Sequence, residues 1–406
     1  MLIRKSYVDQ ILPFADMPLV KILTGVRRCG KSTIMLMLMD ELKKRGIPES
    51  RIVRFNFDTL EWHNADAMQV FDQIKSKLSP DGRTYLFLDE IQEIENWERL
   101  VNTFMEETAY DVDIFVTGSN SKMMSSEIST YLTGRYVSFR IHPLSFAEYL
   151  EFRKQYGALY DLNGEFLNYI EYGGFPAVHL KPLTRDEAYV IVRDIYNTTI
   201  LTDIVKRNQI RKVDQLERIV KFAFDNIGNT FSANSIKGYM QSQNRKIDVE
   251  TVYNYLAKLE SAYILNRCPR QDLHGREILK TQEKYYLADT AFKHAVLGYR
   301  RDDISQVLEN IVYLELQRRG YEVYVGKLGT KEVDFAAEKQ GGNIYVQVAY
   351  LIADRETQER EFGNLLKIND NFPKFVFSMD EVDMSQKGIV HLNIKDFLLK
   401  KWSLLI

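Results

Sequence analysis

One eight-residue run constrains this chain more than any other feature: Gly25-Val26-Arg27-Arg28-Cys29-Gly30-Lys31-Ser32, which fits G-x-x-x-x-G-K-S/T without deviation. It follows a short apolar segment, residues 20–25 (VKILTG), and opens a Met- and Leu-rich helical stretch, residues 32–44, that stops near Gly46-Ile47-Pro48. A chain that leaves a strand, turns on glycine and enters a helix aims converging backbone N–H groups and the positive helix end at one point. That point suits a phosphate. The pattern predicts that Gly25, Val26, Arg27, Arg28, Cys29, Gly30, Lys31, Ser32 and Thr33 wrap the phosphates of ATP. Lys31 would reach the β- and γ-phosphates and Ser32 would ligate Mg²⁺.

The next 90 residues alternate strand and helix: strand 52–57, helix 67–78, strand 84–88, helix 97–108, strand 112–117. Such alternation predicts a mostly parallel sheet covered on both faces. Tyr85-Leu86-Phe87-Leu88-Asp89-Glu90 then has the form of a Walker B strand, an apolar run ending in two acids. Asp89 is expected to hold the Mg²⁺ shell and Glu90 to orient and deprotonate the attacking water. Phe115-Val116-Thr117-Gly118-Ser119-Asn120 supplies a neutral donor at the end of the neighbouring strand, Asn120 or alternatively Ser119. Arg135, after Gly134, is a candidate arginine finger, in its own subunit or across a homo-oligomer. Its plainer reading is a structural surface arginine.

A length of 406 residues allows two to four domains. The net charge of −2 gives no global pull toward polyanions, so any nucleic-acid site must be a local patch. Two cysteines, Cys29 inside the phosphate loop and Cys268, point to a reducing compartment. No apolar stretch of membrane-spanning length and no signal-peptide pattern occurs, which predicts a soluble, cytoplasmic protein without membrane partners.

Beyond Pro143-Leu144-Ser145 the sequence turns predominantly helical, which predicts a helical lid over 146–203. Three helical segments follow, 214–227, 233–241 and 249–260, with two β-like runs behind them, the order of a winged helix-turn-helix. Between 204 and 247, nine Lys/Arg face three Asp/Glu, a local excess suited to double-stranded DNA. The expected recognition helix, 249–260, carries more acid than base and offers Asn254 and Lys258, so a packing module is the equal alternative.

The runs LTGVRRCGKST, LFLDEIQEI, VTGSN, LTGR, HPLSFAEYL and YGGFP together resemble the prokaryotic AAA-type ATPases of the archaeal ATPase group, over essentially the whole chain. In those proteins the C-terminal region is related to PD-(D/E)XK nucleases. On that resemblance, Glu309, Asp334 and Gln347 stand where the nuclease metal site lies, and Ala349 takes the place of its lysine. A degenerate, noncatalytic site is implied, unless another lysine such as Lys331 substitutes. Helical periodicity, by contrast, turns Glu315 toward the core, where it would need a partner.

The expected architecture is α/β: a P-loop NTPase core with a parallel sheet (1–145), a helical lid (146–203), a winged helix-turn-helix (204–300) and a restriction-nuclease-like α/β domain (301–406). The expected activity is Mg²⁺-dependent ATP hydrolysis that moves the C-terminal modules. The alternatives are a nucleotide-gated binding protein with no significant turnover and an ATP-dependent DNA nuclease.

Overall fold

The computed structural model describes residues 4–107, 109–124, 132, 134–157, 161–275, 277–340 and 342–399. Thr108, the expected end of one helix, Thr133 of the LTGR run, and residues 400–406 of the expected terminal domain lie outside them. Among the described residues no helix is long and apolar enough to cross a membrane. The chain divides into two compact units: Met1–Pro143 with Ser261–Tyr263, and Leu144–Glu260 with Ile264–Ile406.

In the first unit the elements run α1 (Lys5–Ile11), β1 (Val20–Thr24), α2 (Lys31–Lys44), β2 (Ile52–Asn56), α3 (Ala67–Ser76), β3 (Thr84–Asp89), α4 (Trp97–Glu106), β4 (Val112–Gly118) and β5 (Tyr136–Arg140). The five strands form a parallel sheet in the order β2-β3-β4-β1-β5. Every residue of β1 and β3 is buried, as a strand covered on both faces requires, which is why these runs are mostly apolar rather than alternating and why the one charge inside β1, Lys21, needs a buried partner. The start of α3 is fixed by a capping box in which Asp66 accepts from the Gln69 N–H and the Gln69 side chain accepts from the Asp66 N–H. The α3 and α4 side chains Val70, Ile74, Val101 and Phe104 then pack with Leu86, Leu88, Ile114 and Val116 of the sheet.

The second unit begins with α5 (Phe146–Tyr156), α6 (Leu162–Tyr172) and α7 (Arg185–Thr198), the last running on into a π-helical turn, Thr199–Lys206. Capping boxes at Ser145/Glu148 and Thr184/Glu187 start α5 and α7. Then come α8 (Val213–Asp225), α9 (Ala233–Ser242), α10 (Val249–Ser261), β6 (Leu265–Asp272), β7 (Ile278–Leu287), α11 (Ala291–Leu297), α12 (Ile304–Arg318), β8 (Glu322–Leu328), β9 (Lys331–Lys339), β10 (Gly342–Val348), α13 (Arg355–Leu365), β11 (Lys374–Ser378), β12 (Ile389–Asn393) and α14 (Ile394–Leu399).

The two strands behind α10 do not stand apart as a wing. They form one edge of a seven-stranded sheet, β12-β11-β10-β9-β8-β6-β7, in which Arg270–Asp272 pair in parallel with Val325–Lys327. Four consecutive β7 residues, Lys284, Tyr285, Tyr286 and Leu287, are buried. A free two-stranded wing covers one face only and cannot bury such a run, whereas a strand of a layered sheet can.

One buried ion pair ties the first sheet together. Lys21 of β1 and Asp113 of β4 are both fully buried and paired; Lys21 Nζ also donates to the Leu19 carbonyl at 2.8 Å and lies over the Phe115 ring, 4.7 Å from its centre. Burial pushes the Lys21 pKa down and the Asp113 pKa up, while the pairing opposes both shifts. Replacing Lys21 by Met would strand a carboxylate in the core. The expected cost is about 3–5 kcal/mol, read from the urea midpoint. A cost under about 1 kcal/mol, the range of exposed pairs, would contradict this.

Candidate functional site

The phosphate loop leaves the C-terminal end of β1 in a sheet where β4 lies on one side and β5 on the other. Gly25 has φ 149°, and a Cβ there would sit 2.2 Å from the Ile141 carbonyl oxygen, so no other residue fits. Gly30 has φ 106° and forms the N-cap of α2; no side chain caps that end. The N–H groups of the first turn therefore remain available to an anion. Behind the loop, the buried Arg4 guanidinium donates to the Cys29 carbonyl at 3.0 Å and to the His142 carbonyl at 2.9 Å, holding the turn from below. The Cys29 thiol is fully buried, and burial pushes its pKa up; it packs the loop as an inert thiol.

Lys31 is buried and folded back onto the loop: its Nζ donates to the Gly25 carbonyl at 3.1 Å and the Val26 carbonyl at 3.3 Å, and lies 3.8 Å from Glu90 Oε1. Ser32 Oγ donates to Asp89 Oδ1 at 3.0 Å, and Thr117 Oγ1 donates to the same oxygen at 2.6 Å. The other Asp89 oxygen accepts from Arg54 at 2.6 Å. Glu90 follows in a left-handed conformation, φ 53°, with its N–H donating to Thr117 Oγ1 at 2.8 Å. A hydroxyl and a carboxylate 3.0 Å apart beside a phosphate loop are the hard oxygen donors that Mg²⁺ takes alongside a nucleotide, so the residues present fit that ion.

The strand order explains this convergence. Because β4 is inserted between β1 and β3, with Thr24 level with Gly118 and Leu88 level with Val116, the ends of all three strands meet at the loop. Ser119 and Asn120, just past β4, are both buried there, and among the described residues Ser119 Oγ has no hydrogen-bond partner. Of the other loop residues, Arg28 is exposed with φ 66° and Arg27 is half-buried.

Arg135 lies elsewhere. It precedes β5 at the N-terminal edge of the sheet, where its carbonyl accepts from the Val20 N–H, while Arg140 at the other end of β5 is level with Thr24. Five strand residues, about 16 Å at about 3.3 Å each, separate its level from that of the loop. Its guanidinium is engaged with Asn102 at 3.0 Å and with Glu106. The expectation of a finger within its own subunit is therefore corrected: the parallel strand direction carries Arg135 to the wrong edge. Two residues that contact Asp89, Arg54 and Thr117, were not singled out from the sequence. The only hint for Arg54 was that it is the one charge in the alternating strand of residues 52–57.

The second unit contains a buried polar centre of its own. Lys284 Nζ of β7 lies 2.9 Å from Glu309 Oε1, 2.9 Å from Glu332 Oε1 and 3.5 Å from Asp334 Oδ1. Tyr286 donates to Glu309 Oε1 at 2.6 Å, and the Val348 N–H donates to Asp334 Oδ2 at 2.9 Å. Burial alone would lower the lysine pKa, but the carboxylates of Glu309, Asp334 and Glu332 outweigh it and hold Lys284 charged. Three carboxylates around one ammonium leave negative charge over; burial together with that repulsion pushes Glu309 up to about 7, against the pull of Lys284.

Glu309, Asp334 and Gln347 are thus brought together as expected, but around an ammonium ion. Gln347 Oε1 accepts from the Asp334 N–H at 3.4 Å, and among the described residues no group of three or more His, Cys, Asp or Glu is arranged to hold a metal. The donor set does not fit a divalent cation, because Lys284 fills the space between the carboxylates. Lys331 is exposed at the start of β9 and does not supply the missing lysine. Glu315 has the partners its burial demands, Arg319 at 2.7 Å and Arg318 at 3.6 Å.

Comparisons with known proteins agree with the geometry of the first unit. The model of a family described as an AAA domain matches residues 18–150, and that of a domain of unknown function (DUF8612) matches residues 163–303. An uncharacterized protein of Haemophilus influenzae is 33% identical over 403 residues, 98% of this chain and 99% of its own length. An uncharacterized protein of Methanocaldococcus jannaschii is 27% identical over 407 residues, 95% of this chain and 88% of its own. Among solved structures, the Walker-type ATPase PABY2304 of Pyrococcus abyssi has a similar fold, with a TM-score of 0.50 at 12% identity over 72% of this chain and 94% of that one. With its phosphate loop, its acidic strand end and a relative matched from end to end, the chain belongs to the same family as the Haemophilus influenzae protein and carries an AAA domain over residues 18–150.

Proposed function

We propose that this protein binds ATP with Mg²⁺ and hydrolyses it, using the hydrolysis cycle to move its second unit. The observation that carries the reading is the contact of Ser32 Oγ with Asp89 at 3.0 Å, with Glu90 next in the chain and 3.8 Å from Lys31. In the reaction the loop N–H groups and Lys31 hold the β- and γ-phosphates, and Lys31 leaves its carbonyl partners to do so. Ser32 and Asp89 would hold the Mg²⁺, which would supply positive charge against the phosphate oxygens. Glu90 orients the attacking water and takes its proton. Ser119, whose buried hydroxyl lacks a hydrogen-bond partner among the described residues, and Asn120 are the neutral groups buried just past β4 that would meet the γ-phosphate.

Lys31→Ala is expected to abolish ATP binding in calorimetry. Glu90→Gln is expected to bind Mg²⁺–ATP with wild-type affinity and to turn over at least roughly a hundredfold more slowly, as loss of a positioned base implies. Unchanged affinity in the first variant or unchanged turnover in the second contradicts the assignment. A nucleotide-gated binder would show the wild-type protein itself without steady-state phosphate release.

For the second unit we infer a DNA-facing role for the segment before α10, where Arg245 and Lys246 are both exposed, Arg245 lying 3.7 Å from Asp214; Asn254 on α10 is exposed as well. Reversing both charges would lower affinity for double-stranded DNA and reduce the salt slope by about one log–log unit per lost phosphate contact. Absence of DNA binding at about 50 mM salt, where such contacts are strongest, makes this segment a packing module instead.

The nuclease-like reading of the C-terminal strands rests on the sequence pattern and the clustering of Glu309, Asp334 and Gln347. With Lys284 between the carboxylates, the centre holds this sheet together and cuts nothing. Neither Mg²⁺ nor Mn²⁺, with or without ATP, is expected to support cleavage of supercoiled plasmid. Nicking that Glu309→Gln eliminates would overturn this. A cytoplasmic location is in keeping with two buried, unpaired cysteines.

A further inference from the structure

Asp89 has two oxygens and three donors. One oxygen takes the hydroxyls of Ser32 and Thr117; the other takes the guanidinium of Arg54, reaching across from β2 at 2.6 Å. The Asp89 side chain is 1% exposed and that of Arg54 is 28% exposed, so a charge-assisted hydrogen bond is formed at the lip of the site, out of most of the water. Asn56, two residues beyond Arg54, is level with Asp89 across the sheet, which sets the arginine one step back from the loop edge with its side chain leaning over it. Arg54 Nε is buried and has no hydrogen-bond partner among the described residues. The guanidinium is therefore fastened to the Walker B acid while part of its donor capacity is unused.

An arginine held on the acid that the fitted ion requires cannot stay as it is when that ion arrives. The ion, bound to Asp89 directly or through a water, sets a second positive charge against the guanidinium on the same carboxylate, and the divalent one has the larger claim on it. A guanidinium is well suited to the negative charge that grows on the transferring phosphoryl group; Arg135 lies at the far end of β5, and of the loop arginines Arg28 is exposed.

We propose that Arg54 is the cis-acting arginine of this site: it neutralises Asp89 while the site is empty, and Mg²⁺–ATP displaces it onto the γ-phosphate, where it stabilises the transition state. The inference rests on the nucleotide-binding reading above and adds a residue and a role to it. It gives Arg54 two separable effects. As a counter-ion it competes with Mg²⁺ for Asp89, and as a catalytic residue it acts in hydrolysis.

The test compares Arg54→Ala and Arg54→Lys with the wild type in two measurements. The first is the Mg²⁺ concentration that half-saturates binding of fluorescent ADP, which involves no turnover. Arg54→Ala is expected to lower it at least about threefold, since a competing cation has been removed. The second is steady-state ATP hydrolysis, where Arg54→Ala is expected to lose at least roughly a hundredfold in kcat with ATP affinity changed less than about threefold, as for removal of a preorganised charge partner of the transition state. Arg54→Lys, which keeps the charge but not the fork, should recover part of the rate.

Wild-type turnover together with an unchanged Mg²⁺ requirement in Arg54→Ala overturns the proposal and leaves an inert ion pair. So does a loss of nucleotide affinity equal to the loss of rate, which would mark a residue that only shapes the pocket. If the wild type binds ADP but releases no phosphate, the hydrolysis reading and the catalytic half of this proposal fall together, and the Mg²⁺ half-saturation still decides the counter-ion half. If the wild type binds no nucleotide, both readings are overturned.

Discussion

The convergence of three donors on the single carboxylate of Asp89 is the constraint on which the first unit depends. Thr117 comes from β4, Ser32 from the helix behind the loop and Arg54 from β2, so one acid ties together elements leaving three different strands. That tie works only because β4 lies between β1 and β3, and β4 is anchored to β1 further down by the buried pair of Lys21 and Asp113. The loop itself is shaped by what it cannot accommodate: a side chain at Gly25 would strike the carbonyl of Ile141. Packing below, register in the sheet and geometry at the edge are therefore one argument.

The second unit solves a similar electrostatic problem in a different way. There, carboxylates from α12 and β9 are drawn together by a buried ammonium from β7. A buried charge set of this kind contributes little net stability but strongly penalises any arrangement that separates its members. It therefore fixes which helix and which strands meet. The same residues that would recruit a metal in a nuclease are satisfied within the fold, so resemblance in sequence and chemistry in space diverge at this one lysine.

What the sequence made legible was local. The loop, its flanking strand and helix, and the two acids after an apolar run are contiguous patterns whose physical meaning does not depend on the rest of the chain. Thr117 lay inside a quoted run, yet its role as the shared partner of Asp89 and the Glu90 N–H depends on the β3–β4 register, which no local pattern encodes. Lys284 was invisible for the same reason, being 25 residues before Glu309 and 50 before Asp334 in the chain. Arg135 was read as a finger for its own subunit or for a neighbour's; position after a motif does not say which edge of the sheet a residue occupies, and the structure bears only on the first of these. The strands behind α10 read as a wing because their membership of a larger sheet is decided by β8, more than thirty residues further on. Glu315 was read correctly as a buried acid in need of a partner, since periodicity and the cost of an unpaired charge together suffice.

The proposed chemistry requires one divalent ion beside Ser32 and Asp89, and none between the carboxylates that Lys284 holds. Anomalous diffraction from crystals grown with Mn²⁺ and a nonhydrolysable ATP analogue tests both placements at once. The account predicts a single protein-bound manganese peak in contact range of Ser32 Oγ, with Asp89 in its first or second coordination sphere and the triphosphate on the loop of Gly25 and Gly30. A manganese peak among Glu309, Glu332 and Asp334, or a nucleotide bound away from that loop, would contradict it.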